Sequence, residues 1–440
     1  MNLPLFLARG VAKGGSQSIS RTIIGIAVVA VAISMATMVL ASALISGFKT
    51  EISVKIFGFW GHVHITEENA ANDIMLTTEY PISTEQDFYP SLEELGPITY
   101  RDFEDPFGTN STEERTTQGG IRNIQPFILL PGIVSVFQEG EQLADTEPLI
   151  LKGIDQDFAW EDFAQYMVEG DALEVVKDST SRGILISNST SRRLQIGVGD
   201  RIDFVYFSGL REEKSRAFRV QGIYKTGLEE YDSKFAIVDI KQLRRLLNWR
   251  DDEVGGFEVI LDDIDDLNAF ANYIHYDVLP QHLYADSIRN KLRELFNWLD
   301  IQDYNGIIIL ILVVLVAVIN MMTALLILIL ERTNMIGTLK ALGQDNWSIR
   351  KIFLYYAGFI VIVGLLLGNF VGLGLAWAQK TFGIVKLDEE SYYLAVAPIK
   401  LEWLTILGLN LGTFVITLAF LVLPSYLVTQ IDPVKAIRFK

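Results

Sequence analysis

Four runs along the chain contain no Asp, Glu, Lys or Arg: Thr22–Phe48, Asn305–Leu330, Ile352–Gln379 and Trp403–Ile431. A helix rises about 1.5 Å per residue, so roughly 20 apolar residues cross a hydrocarbon core of about 30 Å. Each run is long enough, and the pattern predicts transmembrane helices over 22–48, 304–330, 352–379 and 403–431. The first run imitates a secretory signal, with Arg9, Lys13 and Arg21 ahead of it and "ASA" (Ala41–Ala43) near its end. Its uncharged core is longer than a signal core and three more runs follow, so an uncleaved anchor is expected.

Between the first two runs the texture changes to short alternating segments bounded by Gly, Asp or Ser. Strands are expected at His62–Thr66, Arg182–Ser187, Asp200–Phe207, Arg216–Tyr224, Lys234–Ile240 and Gly256–Asp262, where β-branched and aromatic residues gather. Apolar positions three to four apart predict helices at Ile240–Trp249 and Ile264–Tyr276. The stretch 67–122, with Pro81, Pro90, Pro97 and Pro106, should be irregular in part. Ile288, Leu292, Leu295, Phe296 and Leu299 form one helical face. A continuous stalk helix from Ser287 into the second span is therefore expected, opposite Gly47–Gly61, and a flexible hinge at Gly47 or Gly306 would weaken such a stalk.

Charge orients these pieces. The segments 1–21, 331–351 and 432–440 hold ten Lys or Arg and three acids, a net of +7, whereas 49–303 holds 24 bases and 47 acids, a net of −23. Basic short loops stay in the cytoplasm. The expected layout is a cytoplasmic segment 1–21, a periplasmic α+β domain 49–303, a cytoplasmic helix 331–351, a periplasmic loop 380–402 and a cytoplasmic tail 432–440. Placement in a bacterial inner membrane follows. With no cysteine there is no disulfide or thiolate site, and the acidic domain argues against nucleic acid.

Catalytic signals are missing. No stretch matches the phosphate-binding G-x-x-x-x-G-K-[ST] pattern. His62 and His64 lack a third metal ligand nearby, and Asp262–Asp266 lacks the glycine spacing of a calcium loop and reads as a solvated turn. No metal and no cofactor are expected on this chain. In the spans, Gly364, Gly368 and Gly372 lie four apart, as do Gly408 and Gly412. Small residues at this spacing let helices approach closely in lipid, either within one subunit or between two. Asn320, Asn369 and Asn410 are expected to hydrogen-bond between helices.

"ERTNMIGTLKALGQDNWSIRKIF" (Glu331–Phe353) and "IDPVKAIRFK" (Ile431–Lys440) carry a resemblance. Their Ile-Gly-x-Leu-Lys-Ala-Leu-Gly core, closing Asp-Pro and Pro424 are similar to the permeases shared by the lipoprotein-releasing (LolC/LolE), MacB and FtsX transporters. "LISGFKTEISVKIFGFWGHVHI", "LILKGID", "SRRLQIGVGDRIDF" and "VQGIYKTGLEEYDSKFAIVDIKQLRRLL" resemble the lipoprotein-releasing branch. The resemblance implies a non-catalytic permease subunit that releases lipoproteins from the inner membrane by mechanotransmission. Its implied partners are a cytoplasmic ABC ATPase holding ATP and Mg, a second permease subunit (the same chain or a paralogue), lipoproteins and a periplasmic lipoprotein chaperone. Arg332, Ile336, Gly337, Leu339, Lys340, Ala341, Leu342 and Gly343 become ATPase-coupling candidates. Ile45, Phe48 and Ile301 become lipoprotein contacts, and Ser208, Gly209, Leu210 and Arg211, a short hairpin turn, become the chaperone contact. A MacB-like mechanical exporter and an FtsX-like regulator of a cell-wall hydrolase are the alternatives.

Overall fold

A computed structural model of the chain describes residues 18–71, 77–101, 114–138, 142–208, 212–388 and 392–432. It divides into two units: one of residues 1–51, 298–387 and 396–440, the other of 52–297 and 388–395. Two of the four crossings between the units fall inside long helices, Ser18–Trp60 (α1) and Arg293–Glu331, and the other two bracket residues 388–395.

The larger unit is built on one sheet of ten strands: Val63–Glu67 (β1), Ile121–Gln138 (β2), Gln142–Ile154 (β3), Met167–Gly170 (β4), Gly183–Ser187 (β5), Arg201–Ser208 (β6), Glu212–Tyr224 (β7), Phe235–Asp239 (β8), Gly256–Leu261 (β9) and Leu283–Ser287 (β10). Six of them close a ring. β2 pairs β3, β3 pairs β8, and β8 pairs β5; β7 joins β5 to β6, and β6 returns to β2 through Ile133–Ser135 against Asp203–Val205. Closure hides the strand edges that would otherwise recruit other chains. At the seam, a Cβ on Gly132 would sit 2.2 Å from the Phe204 ring, so glycine makes room for the crossing. The core is aliphatic and aromatic, with Ile124, Phe127, Leu151, Phe204, Phe218 and Phe257 fully or nearly fully buried.

All six expected strands are present, five of them to within one residue at each end, while the one expected from Arg216 begins four residues earlier, at Glu212. The longest strand, β2, and its neighbour β3 carry no clean alternation; Pro126, Pro131 and Gly132 interrupt the pattern of β2. Both are held by pairing on either side, and context overrides local propensity. Asn188–Leu194 (α2) is a helix the sequence pattern does not announce; the two expected helices are Ile240–Leu247 (α3) and Leu267–Tyr273 (α4), the last flanked by a 3-10 turn and a π turn. The Asp262–Asp266 turn is not simply solvated. Asp262 accepts from the Gly120 amide and buried Asp266 accepts from those of Gln118 and Gly119, fastening a loop. A continuous stalk from Ser287 is also corrected. Ile288–Lys291 (α5) ends at Leu292 (φ −103°, ψ 41°) before Arg293–Glu331 (α6) begins, because Ile288 is buried under the sheet.

The smaller unit contains the first part of α1, most of α6, Thr333–Ala341 (α7), Asn346–Phe382 (α8), Trp403–Ser425 (α9) and Leu427–Gln430 (α10). α1, α6, α8 and the pair α9–α10 supply four helices long and apolar enough to cross a membrane. The three glycines of α8 lie against α1: a Cβ on Gly364 would meet Val31 at 2.7 Å, on Gly368 Ala32 and Met35 at 2.6 Å, and on Gly372 Ala36 at 3.0 Å. They serve packing inside one chain. Gly408 and Gly412 face nothing within 4 Å. Asn369 and Asn410 exchange hydrogen bonds of 2.6 and 3.2 Å between α8 and α9, whereas Asn320 is exposed. Gly47 and Gly306 are close-approach positions inside helices, not hinges. Their Cβ atoms would lie 2.7 Å from the Pro398 carbonyl and 2.5 Å from Ile45 Cδ1.

Gly368→Val should therefore lower the unfolding stability of the detergent-purified chain by about 1–3 kcal/mol through overpacking. Gly408→Val should change it by less than about 0.5 kcal/mol, as exposed substitutions do. Equal losses in a thermal-unfolding comparison would contradict this placement.

Candidate functional site

α1 does not end in solvent. Its last residues, Phe59 and Trp60, are buried in the larger unit among Tyr231 and Phe235, with ring centroids 5.1–5.8 Å apart. The final carbonyls of a helix lack partners within it, and leaving one buried and unpaired costs about 1–3 kcal/mol. Lys152, on β3, supplies the donor: Nζ gives a hydrogen bond to the Phe59 carbonyl at 2.5 Å. His64, on β1, donates from Nε2 to the Trp60 carbonyl at 2.6 Å. Lys152 also lies 4.9 Å from the Phe59 ring centroid and 5.3 Å from that of Trp60.

A buried ammonium needs a counter-charge. Glu258, on β9, places Oε1 2.6 Å from Lys152 Nζ, and both side chains are 1% exposed. Gln125 Nε2 donates to the other carboxylate oxygen at 2.8 Å, while its own carbonyl accepts from the Ala159 amide. Burial pushes Lys152 down and Glu258 up, and each partner's charge opposes that. His64 is held neutral, well below its ordinary value, by burial first and then by the charges of Lys291 and Lys152.

The strand after α1 and the strand before α5 are neighbours. β1 pairs antiparallel with β10, with Val63 opposite Ser287 and Glu67 opposite Leu283. The Ile288 amide, opening α5, donates to the His62 carbonyl at 2.9 Å, and the Ser287 hydroxyl caps α5 at Asn290. His62 Nδ1 accepts from the Leu261 amide at 2.9 Å. Both histidines thus act in backbone bonding. In the smaller unit, Lys49 of α1 bridges to Asp300 at 3.1 Å and Asp303 at 2.6 Å on α6. Ile45 and Phe48 are half-buried there, Ile45 reaching Gly306, and Ile301 is 53% exposed.

The second cluster is the turn between α7 and α8. The Gly343 amide donates to Lys340 O and the Gln344 amide to Leu339 O, both at 3.0 Å, with Gly343 at φ +88°. This is a Schellman termination, which wants glycine at that point. Asp345 then caps α8, accepting from the Ser348 amide. Several of the ATPase-coupling candidates turn inward. Ile336 is fully buried in the chain's own helical core, Leu339 packs against that core and Gly337 is buried. Lys340 is also occupied internally, donating to the carbonyls of Thr429 at 3.2 Å and Ile431 at 2.9 Å. Arg332 is half-buried where α6 breaks into α7. What the turn presents outward is Ala341, Leu342 at 79% exposure, Gly343 and Trp347 at 50%. Trp347 escaped the sequence reading because it starts the next helix. Of the hairpin turn, Gly209, Leu210 and Arg211 lie outside the described residues; Ser208 opposite Glu212 closes the ladder on either side of them.

Residues 24–275, more than half the chain, match the family of the MacB-like periplasmic core domain. The chain belongs to that family. Residues 307–433 match the FtsX-like permease C-terminal family. The lipoprotein-releasing system transmembrane protein LolE of Haemophilus influenzae is 21% identical over 460 positions, covering 99% of both chains. The corresponding LolC proteins of Xylella fastidiosa (strain 9a5c) and Neisseria meningitidis serogroup B are 23% and 26% identical. Those matches take in 58% and 51% of this chain, and span 65% and 56% of the length of these relatives. The extracellular domain of the noncanonic ABC-type transporter YknZ from Gram-positive bacteria aligns with 44% of this chain and 98% of its own, at 10% identity and a TM-score of 0.27, too low to carry an argument.

Two outcomes follow from the buried cluster. Lys152→Met should destabilise the periplasmic domain by about 3–5 kcal/mol, the cost of stranding a buried charge. Lys152→Met combined with Glu258→Gln should cost clearly less than the two single losses added, by about 1 kcal/mol or more; additive losses in denaturant unfolding would break the pairing. The second outcome concerns pH. Burial, with the Arg122 charge behind it, lowers His62 from 6.5 to about 4. Between those values the unfolded chain takes a proton that the folded chain refuses. Stability is then full above pH 6.5 and falls as pH drops towards 4, at up to about 1.4 kcal/mol per unit. His62→Asn, which keeps an acceptor for the Leu261 amide, should flatten that fall in unfolding curves recorded from pH 7.5 to 4.5.

Proposed function

We propose that this chain is the membrane-spanning, non-catalytic subunit of an ATP-driven transporter that releases lipoproteins from the inner membrane. The observation that carries the reading is the end-to-end similarity to the lipoprotein-releasing system transmembrane protein LolE. ATP and Mg would bind to a separate cytoplasmic ATPase, with a second permease subunit completing the transporter. The α7–α8 turn is the ATPase contact, with Leu342 and Trp347 as its apolar anchors beside Ala341 and Gly343. An exposed tryptophan beside a rigid turn is a common anchor of such a contact.

Movement of the spans would reach the periplasmic domain through backbone geometry. α1 and α5 enter the sheet on paired strands, so a shift of one stem loads the other through the β1–β10 ladder. Ile45, Phe48 and Ile301, near the Lys49 bridge, remain the proposed lipoprotein contacts, and Ser208–Arg211 the proposed chaperone contact. The match to the MacB-like domain also supports a mechanical exporter that moves a soluble cargo and extracts no lipid.

The test is purification with the cognate ATPase in nanodiscs, with mass spectrometry of what co-purifies. Acylated proteins released on adding ATP and a periplasmic chaperone support lipoprotein release; a bound outer-membrane channel or hydrolase without acylated cargo overturns it. Leu342→Glu should cut ATP-dependent release at least tenfold with unchanged thermal stability. Ile336→Asp should instead unfold the helical unit, losing about 3 kcal/mol or more through a buried unpaired charge. Loss of stability in Leu342→Glu, or full release activity, would remove Leu342 from the contact.

A further inference from the structure

Three arginines meet where charge repulsion should have kept them apart. Arg201 on β6 and Arg219 on β7 are direct cross-strand partners, and Arg219 is also the Cα partner of Gly183 on β5, next to Arg182. The Arg219 amide donates to the Arg182 carbonyl at 2.9 Å, so the third arginine is fixed beside the pair. All three side chains are exposed. Like charges directly opposite one another weaken a ladder. In a segment whose net charge is −23, chance would more readily have set an acid there.

The acids close by are committed. Asp203 pairs with Arg201 along its own strand at 3.2 Å. The Asp200 carboxylate accepts from the Gly197 amide, and Asp239 from the amides of Ser181 and Lys241. Among the described residues Arg182 and Arg219 have no ion-pair partner. With Gly183, Ala217 and Gln221 the three line an open cleft of about 660 Å³. A single water takes about 30 Å³ of liquid, so the cleft exceeds the needs of one small anion and suits several linked ones.

We infer that this cleft is a docking site for an acidic segment of a soluble periplasmic protein, held by Arg182, Arg201 and Arg219 through its carboxylates. Guanidinium groups bind carboxylates with paired, charge-assisted hydrogen bonds, which an extended Glu- or Asp-rich segment offers in series. A soluble partner is favoured over a lipid headgroup by position within the unit. β5 runs from Gly183 at the cleft to Ser187, whose neighbours at the start of β8 include Phe235, and Phe235 packs on Phe59 and Trp60 at the end of α1. The cleft is thus at the far end of the strand from the helix that leads into the span. The site stands whichever cargo the transporter moves.

The experiment uses the full chain in phosphatidylcholine nanodiscs and a fluorescein-labelled hexaglutamate peptide, read by anisotropy. The peptide is expected to bind, to weaken severalfold between 50 and 300 mM salt, as charge screening requires, and to lose at least tenfold in affinity with Arg182→Glu/Arg219→Glu. Arg192→Glu, an exposed reversal elsewhere on the domain, should leave the affinity unchanged. Equal thermal unfolding of the three proteins excludes misfolding as the cause. No peptide binding to the unaltered chain, or binding indifferent to the double reversal, overturns the proposal. So does tighter competition by inorganic phosphate, or reversal-sensitive binding of phosphatidylglycerol vesicles in place of the peptide; either would make the cleft a phosphate site.

Discussion

A helix that ends inside a protein core must find donors for its last carbonyls, and much of the periplasmic domain is arranged around that need. α1 ends at Trp60 among buried rings. Lys152 and His64 reach its carbonyls from two different strands, Glu258 balances the lysine from a third, and Gln125 completes the carboxylate from a fourth. Each step is forced by the one before it: an unpaired carbonyl calls for a donor, a buried ammonium for a carboxylate, and a buried carboxylate for further hydrogen bonds. The result couples the helix end to β1, β2, β3 and β9 at once.

The same need is met in the same way in the helical unit. There α10 ends at Gln430, and Lys340 from α7 donates to the carbonyls of Thr429 and Ile431. A lysine between two helices thereby ties the loop that follows α6 to the end of the last span. This internal duty explains why Lys340 and Ile336 are unavailable to a partner while Leu342 and Trp347, a few residues on, are exposed. The Schellman turn at Gly343 holds those two side chains on a fixed support.

What the primary structure determined was the part governed by local pattern. Uncharged runs of the right length specify spans, because lipid accepts few other solutions. Alternation bounded by turn residues marked the short strands, and the fourfold glycine spacing of α8 marked a close helix contact. β2 and β3 escaped because prolines and a glycine break their pattern, and because their conformation is held by neighbours far away in the chain. Which helix the α8 glycines meet, that six strands close a ring, and which side of the α7–α8 loop faces inward are all set by packing partners. Periodicity names a face but not its neighbour. Lys152, Glu258 and Gln125, separated by up to 133 positions, carry no mark among the domain's many charges. Burial gives them their roles, and only the tertiary structure decides burial.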